Sequence, residues 1–468
     1  MSAATVAGAR GARLRARLPH LAFAVGAVVV AVGVILRRLT DYVLGAPWPP
    51  SLGNLEPGAH PLLAVSLACF AAAVVLAPRL LDERARPAVV AGALLAGTLV
   101  LRLALAAGRG GTAQWDRVFD EARYFEGANE YLPALASVEL GTGFFIDRFA
   151  ELVPSFPVHV AGHPPGLLLV MHAFGITTPA QLAALCIAVG ALSAPLTYAL
   201  ARRLLDERGA RLAGLLMALS PAALMFGVTS ADAVYLTLGL LAAWPLASGS
   251  RRDRPMAGPL AAGSRGDRPT AGSLPIRPHP VLLVGAVVLA VVSLFAWSLL
   301  AVGAWAALLV LRRDGWRPAL ALAATCGVVL LAFHAAFWAL TGFDALGTIR
   351  ATEEVYRAGV ASMRPYWYWL LGSPVGFLLV LGLPIGWLAL RDLANGSPEA
   401  IAIFAVLAIA SVMGFTKAET ERIWLFFAPF VCLAAARALA GRPGLVTPVV
   451  AALAAQAVLH ELVFDTVW

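Results

Sequence analysis

Long apolar runs recur along almost the whole of this 468-residue chain, and they leave few folds open to it. A hydrocarbon layer is about 30 Å thick, so about 20 apolar helical residues cross it. Inside lipid every backbone N–H and C=O must find a partner within protein, which selects helices or a closed barrel. Uninterrupted apolar runs, rather than strict alternation, select helices. The composition agrees: with 60% hydrophobic and 13% charged residues, no water-soluble surface covers this much apolar side chain. Candidate spans are 20–36, 61–77, 88–107, 179–201, 212–226, 231–247, 281–296, 299–311, 319–340, 374–390, 399–414, 423–440 and 446–462. The expectation is an all-α polytopic membrane protein, a single transmembrane domain over 1–468 with about 11–13 transmembrane helices.

Charge sets the orientation. Arg10, Arg13, Arg15 and Arg17 precede the first run and Arg37-Arg38 follow it, with no small-residue cleavage site, so the first span reads as uncleaved. An N-terminus in the cytoplasm also places Arg79, Arg84, Arg86, Arg202, Arg203, Arg208, Arg211, Arg312, Arg313 and Arg317 inside. That satisfies the positive-inside rule, and the inverted topology violates it. The net charge of +8 is therefore a topology signal matched to anionic membrane lipids, not to nucleic acid. The expected location is the plasma membrane, multi-pass. Arginine supplies nearly every basic residue, Lys417 being the sole lysine, and with abundant Ala and Gly this points to a GC-rich, actinobacterial coding bias.

Two features read as inert. Cys69, Cys186, Cys326 and Cys432 each stand alone in an apolar run and read as small buried side chains. Residues 249–279 hold an imperfect duplication, SRRDRPMAGPL at 250–260 and SRGDRPTAGSL at 264–274, and read as a disordered basic cytoplasmic loop.

The chemistry concentrates elsewhere. Four polar segments fall on the outer side under this topology: 109–163, 220–230, 341–373 and 415–422. The first holds Asp116, Asp120, Glu121, Glu126, Glu130, Glu139, Asp147 and Glu151, out of 27 acidic residues in the chain. Carboxylates gathered at a membrane surface suit a general base or a cation site. Within it, Phe119, Ala122 and Phe125 recur at helical spacing, which predicts an amphipathic surface helix carrying Asp120 and Tyr124 on one face. The same residues also fit a solvated helix face with an acidic N-terminal bias.

Four further groups accompany the acidic pair. Gly162-His163-Pro164-Pro165-Gly166 fixes the entry to a helix whose first amides, with His163 beside them, suit a phosphate, though plain helix-entry punctuation explains it too. Ser220-Pro221 and Ser230-Ala231-Asp232 read either as capping or as an acid facing an outer cavity. Lys417, Glu421 and Arg422 form a tight charged loop, a phosphate clamp or an interfacial cluster beside Trp424. Arg364 and Tyr366 open a run of four aromatics that suits either a sugar face or a membrane interface. His159 and His172 read as packing residues.

In order and spacing these segments resemble the GT-C superfamily of integral-membrane glycosyltransferases, in its branch of protein O-mannosyltransferases and aminoarabinose transferases. Asp120-Glu121-Ala122-Arg123-Tyr124 is similar to that branch's acidic motif in the first large extracytoplasmic loop, here 108–163. His163-Pro164-Pro165 resembles its basic-residue-Pro-Pro element, and Ser220-Pro221 with Asp232 its next. The resemblance implies a polyprenyl-phosphate-linked sugar donor and inverting transfer to a cell-envelope acceptor on the outer face. It implies Asp120 as catalytic base with Glu121 beside it. Tyr124, His163, Asp232, Arg364, Tyr366, Lys417, Glu421 and Arg422 are then the candidates for holding donor or acceptor. Some relatives carry Lys where His163 stands, which would leave a phosphate contact there dependent on pH. The chain ends soon after its last span, so the expected acceptor is a lipid or glycan rather than a protein. The sequence points to no particular cofactor; Asp120, Glu121 and His163 could join a divalent cation site, though their spacing does not demand one.

Two other classes compete. A transporter or flippase predicts ionisable groups at mid-membrane and an inverted repeat; only Arg102 and His334 lie well inside spans, and no matching halves are visible. A non-catalytic envelope-assembly subunit would share the topology without needing the acidic loop.

Overall fold

The computed structural model describes residues 3–46, 48–51, 53–247 and 280–466; the duplicated loop expected at 249–279 lies outside them. The described residues are overwhelmingly helical, with one two-residue antiparallel pair, Asn54–Leu55 against Phe464–Asp465. Among the described residues six helices are long and apolar enough to cross a membrane: Ala16–Leu39, Leu63–Leu80, Pro87–Gly110, Pro179–Leu204, Trp316–Thr341 and Pro443–Val463. Two further candidates are bent pairs, Glu207–Ala218 with Pro221–Thr229 at 51° and Tyr366–Leu381 with Leu383–Ala394 at 118°. Asp232–Ala247, Pro280–Val292, Pro398–Met413 and Leu425–Ala440 are apolar but shorter. By length the count is six to eight, below the about 11–13 spans expected. Short helices packed inside protein, and bends at glycine and proline, account for the difference.

Burial explains why the short helices suffice. Ala428–Ala440 is buried along nearly all its length, and its run of alanines lets neighbouring helices approach closely. Glu207–Ala218 packs against it and is buried from Gly209 onward. A helix hidden on all sides by other helices need not match the hydrocarbon thickness.

The two bends correct two sequence readings. The segment 374–390 is not one straight span: Gly382 adopts φ +132° and reverses the chain there. The segment 212–226 is bent too: Ser220-Pro221 stands at the 51° break between two helices, and Ser220 Oγ donates to the Leu381 carbonyl (2.8 Å), so the two breaks meet in the core. Broken backbone in lipid needs substitute partners. Gln456, from the helix Val446–Val463, supplies them: its Oε1 accepts from Leu383 N–H (2.8 Å) and its Nε2 donates to the Leu379 carbonyl (2.8 Å). Gln456→Leu should therefore orphan two backbone groups at a cost of about 1–3 kcal/mol each. A melting temperature unchanged in detergent would show that the bend does not depend on Gln456.

The helix Pro87–Gly110 connects two unlike faces. At its start, Arg211 donates to the carbonyls of Leu80, Asp82 and Ala85 and pairs with Glu207 (2.7 Å). The same face carries Arg313, which pairs with Glu399, and Arg437, which reaches Glu399 (3.2 Å) and Asp392 (3.6 Å). At its end, Arg109 ties three segments together through the carbonyls of Glu56, Glu461 and Phe464. That second face gathers the described residues of the segments 40–62, 111–165, 342–365 and 415–424.

Candidate active site

The loop 415–424 is the anchor of that second face. Ala418 and Glu419 both hold left-handed backbone, at φ +65° and +60°, which costs roughly 1–3 kcal/mol for a residue with a Cβ. The strain places the Glu419 carboxylate between two guanidinium groups, Arg364 (3.2 Å) and Arg422 (3.1 Å). Arg422 also donates to Asp232 (2.6 Å), at the start of the helix Asp232–Ala247. Ser230 Oγ donates to the same Asp232 oxygen (2.6 Å). Arg422 and Asp232 are both buried. Burial alone would lower the Arg422 pKa, but Asp232 and Glu419 outweigh it and raise it. Burial also opposes ionisation of Glu419, yet Arg422 and Arg364 hold its pKa below the ordinary value.

A second layer rests on this one. Arg422 Nη2 donates to His159 Nδ1 (3.5 Å), and a guanidinium can only donate, so the His159 proton sits on Nε2. That proton faces Glu126 Oε1 (2.9 Å), with Glu130 Oε1 at 3.8 Å. Burial, then Arg422, push the His159 pKa down to about 3, so the imidazole is neutral. Glu130 is 1% exposed, and its Oε2 has no hydrogen-bond partner among the described residues. Burial pushes Glu126 up to about 7 and Glu130 up to about 8. Tyr131 and Tyr235 share a hydroxyl–hydroxyl bond (2.5 Å), and the His163 ring stacks on Tyr235 with centroids 4.9 Å apart.

These raised carboxyls make stability depend on pH with a definite sign. The folded state holds protons that the unfolded state has already lost near pH 4.5, so stability falls as pH rises through the folded values. Between about pH 4.5 and 8 the melting temperature should fall and then level off, and Glu130→Gln should flatten the slope. A slope unaffected by Glu130→Gln would place the titration elsewhere.

The expected site residues divide into three groups. Asp232 and Arg422 are in direct contact, and His163 stands one ring beyond, on Tyr235. Arg364 joins them through Glu419 and through the Lys417 carbonyl, while Lys417 itself is half-buried at the rim. Glu421 is buried against Gly376 of the helix Tyr366–Leu381. Tyr366 is farther out and half-exposed, donating to the Val412 carbonyl (2.5 Å).

The acidic pair is the third group, and its local structure differs from expectation. Phe119–Glu126 is not a surface helix: short 3-10 turns at Arg117–Phe119 and Phe125–Asn129 flank an irregular bend. Asp120 accepts from Arg123 Nε, and its Oδ1 accepts from Ala122 N–H (3.0 Å). That contact with Arg123 holds the Asp120 pKa below its ordinary value, so the group is ionised. Tyr124 lies instead under the Arg117 guanidinium, 4.0 Å from its ring centre. A Cβ on Gly127 would fall 2.3 Å from the Glu121 nitrogen and 2.6 Å from the Asp120 carbonyl carbon. The acidic pair therefore packs directly on the backbone next to Glu126, beside the buried cluster. Helical pieces do line the rest of this loop, at Leu135–Glu139, Thr142–Asp147, Phe149–Leu152 and Val158–Ala161.

Sequence reasoning missed Glu126, Glu130, Tyr131, His159, Tyr235 and Glu419 as members of one cluster. His159, read as packing, lies at its centre. A signal existed: Glu126 and Glu130 are four apart, as are His159 and His163, the spacing at which side chains of a helix share a face. Among the described residues no group of three or more His, Cys, Asp or Glu side chains is arranged to hold a metal ion.

Comparison with known families adds one match. Residues 164–266 match the model of the dolichyl-phosphate-mannose-protein mannosyltransferase family. The matched segment begins at Pro164 and includes Ser220-Pro221, Asp232 and Tyr235, and it supports the resemblance to membrane glycosyltransferases. It does not extend to the acidic pair or to the loop 415–424. No curated protein matches, and no solved structure matches.

Proposed function

We propose that this protein is an inverting glycosyltransferase acting at the extracytoplasmic face of the plasma membrane. It moves a sugar from a polyprenyl-phosphate donor to a lipid or glycan acceptor of the cell envelope. The observation that carries this reading is Asp232: it lies inside the family-matched segment and is bonded to Arg422, in the cluster beside which the acidic pair packs. The orientation rests on charge. The arginine-rich face, with Arg202, Arg203, Arg211, Arg312 and Arg313, faces the cytoplasm, and the candidate site faces out.

In this reaction Asp120, ionised and near solvent, takes the proton from the acceptor hydroxyl as that oxygen attacks the anomeric carbon. The new C–O bond forms as the sugar–phosphate bond breaks, and the polyprenyl phosphate leaves with the electron pair. Arg123 must swing from Asp120 for the acceptor to enter, with Glu121 beside it. Lys417 and Arg364 border the donor phosphate. Arg422 positions Asp232, and Tyr124 and Tyr366 supply rings at the rim.

The test is sugar release from a panel of radiolabelled polyprenyl-phosphate sugars, using the purified chain in nanodiscs with and without envelope lipids. Transfer of label to a lipid or glycan supports the reading. Absence of binding and turnover across the panel, in protein shown to be folded, removes it. A transporter is the second reading, favoured by one observation: Arg102 is fully buried within its span, and its Nε and Nη1 have no hydrogen-bond partner among the described residues. Uptake of label into vesicles without covalent transfer would support that alternative.

A further inference from the structure

We infer that His163 holds a hydroxyl of the bound substrate through its Nε2, and is not a clamp for the donor phosphate. This rests on the glycosyltransferase reading and names what one of its side chains recognises.

The geometry fixes which nitrogen carries the proton. His163 Nδ1 lies 2.6 Å from the His159 carbonyl oxygen, and a carbonyl only accepts, so Nδ1 is the donor. Nε2 has no hydrogen bond among the described residues. In the neutral ring it presents a lone pair and nothing else.

The ring is not free to turn. It stacks on Tyr235 (4.9 Å, 26°), whose hydroxyl is bound to Tyr131. The chain beyond is equally held: Gly166 N–H donates to the Leu294 carbonyl (2.8 Å), and a Cβ on Gly166 would lie 2.5 Å from that oxygen. With Pro164 and Pro165 between, the segment has little slack.

The surroundings disfavour an anion. The charged groups bearing on His163 are Asp232 and Arg422, while Glu126, Glu130 and Glu419 complete the cluster around His159 and Arg422. Arg422 is already shared by two carboxylates. Burial lowers the His163 pKa, which keeps the ring neutral at physiological pH. A phosphate at Nε2 would meet a lone pair beside the Asp232 carboxylate, whereas a hydroxyl supplies the proton that Nε2 lacks. That hydroxyl belongs either to the transferred sugar or to the acceptor.

The experiment compares wild type with His163→Phe, His163→Gln and His163→Lys in nanodiscs. Its probes are bare polyprenyl phosphate and polyprenyl-phosphate mannose, at pH 6 and pH 8. Bare polyprenyl phosphate should bind wild type and His163→Phe equally well at both pH values. Transfer should fall about tenfold or more in His163→Phe, the loss of one good hydrogen bond, and recover in part in His163→Gln, whose amide oxygen also accepts. Acceptor-free hydrolysis that falls with transfer assigns the sugar hydroxyl; hydrolysis unchanged while transfer falls assigns the acceptor hydroxyl. Polyprenyl phosphate binding that weakens as pH rises through about 6.5 in wild type but not in His163→Phe would overturn the inference. So would full activity in His163→Lys. If wild type binds neither probe, the glycosyltransferase reading fails, but the tautomer can still be read. Nitrogen-15 spectra of histidine-labelled protein at pH 7 should give a His163 signal, absent in His163→Phe, with Nδ1 protonated and Nε2 bare. An imidazolium signal there would overturn the inference on its own.

Discussion

Asp120→Asn should lower sugar transfer by about a hundred- to ten-thousandfold while leaving the fold intact. The amide keeps the shape of the carboxylate and can still accept from Ala122 N–H, but it cannot take a proton. Because Asp120 lies near solvent and its partner Arg123 is exposed, thermal stability should barely change. The useful control is Arg123→Gln, which removes the cation that holds the Asp120 pKa low. It should shift the acidic limb of the pH–rate profile toward higher pH, since a base with a raised pKa is protonated sooner as pH falls. Normal turnover in Asp120→Asn would move the base elsewhere, and the buried carboxyls Glu126 and Glu130 would be the next candidates.

The second large effect is structural. Arg422→Met should destabilise the protein by about 3–5 kcal/mol, because it leaves Asp232 as an uncompensated buried charge and Glu419 with Arg364 as its remaining guanidinium partner. His159 loses its Nδ1 donor in the same step, and Glu126 then loses the fixed orientation of its partner. Thermal unfolding in detergent reads the loss. Combining Arg422→Met with Asp232→Asn should recover part of it, since neutralising one stranded carboxylate removes part of the penalty. Strict additivity of the two changes would mean that the pair is not coupled, contrary to a 2.6 Å contact.

How much of this was legible in advance varies by residue. Asp232 and Arg422 were singled out separately, 190 positions apart, and the structure joins them in one ion pair. Their order along the chain and their shared side of the membrane followed from charge and span length alone. Glu419 was passed over because nothing in Ala418-Glu419 advertises left-handed backbone; only the packing of the loop imposes it. His159 was read as a core residue. It is indeed buried, but among carboxyls and a guanidinium rather than among side chains that only pack.

The helical reading of Phe119–Glu126 shows the limit most clearly. Apolar spacing of three and four residues fits a helix, yet Arg117, Arg123 and Gly127 satisfy this stretch in other ways. Such side-chain contacts outweigh a weak local preference, and periodicity over one or two turns is too short to compete.

Apolar runs and arginine placement by themselves determined the class of this protein: lipid tolerates only helices with satisfied backbone, and charge decides which loops share a side. The tertiary structure alone decided where helices break, at Ser220 and Gly382, because Gln456 and Ser220 supply the missing partners from distant segments. It also decided which of many acidic residues are buried together. That depends on contacts between loops far apart in the chain, and no local pattern of residues encodes them.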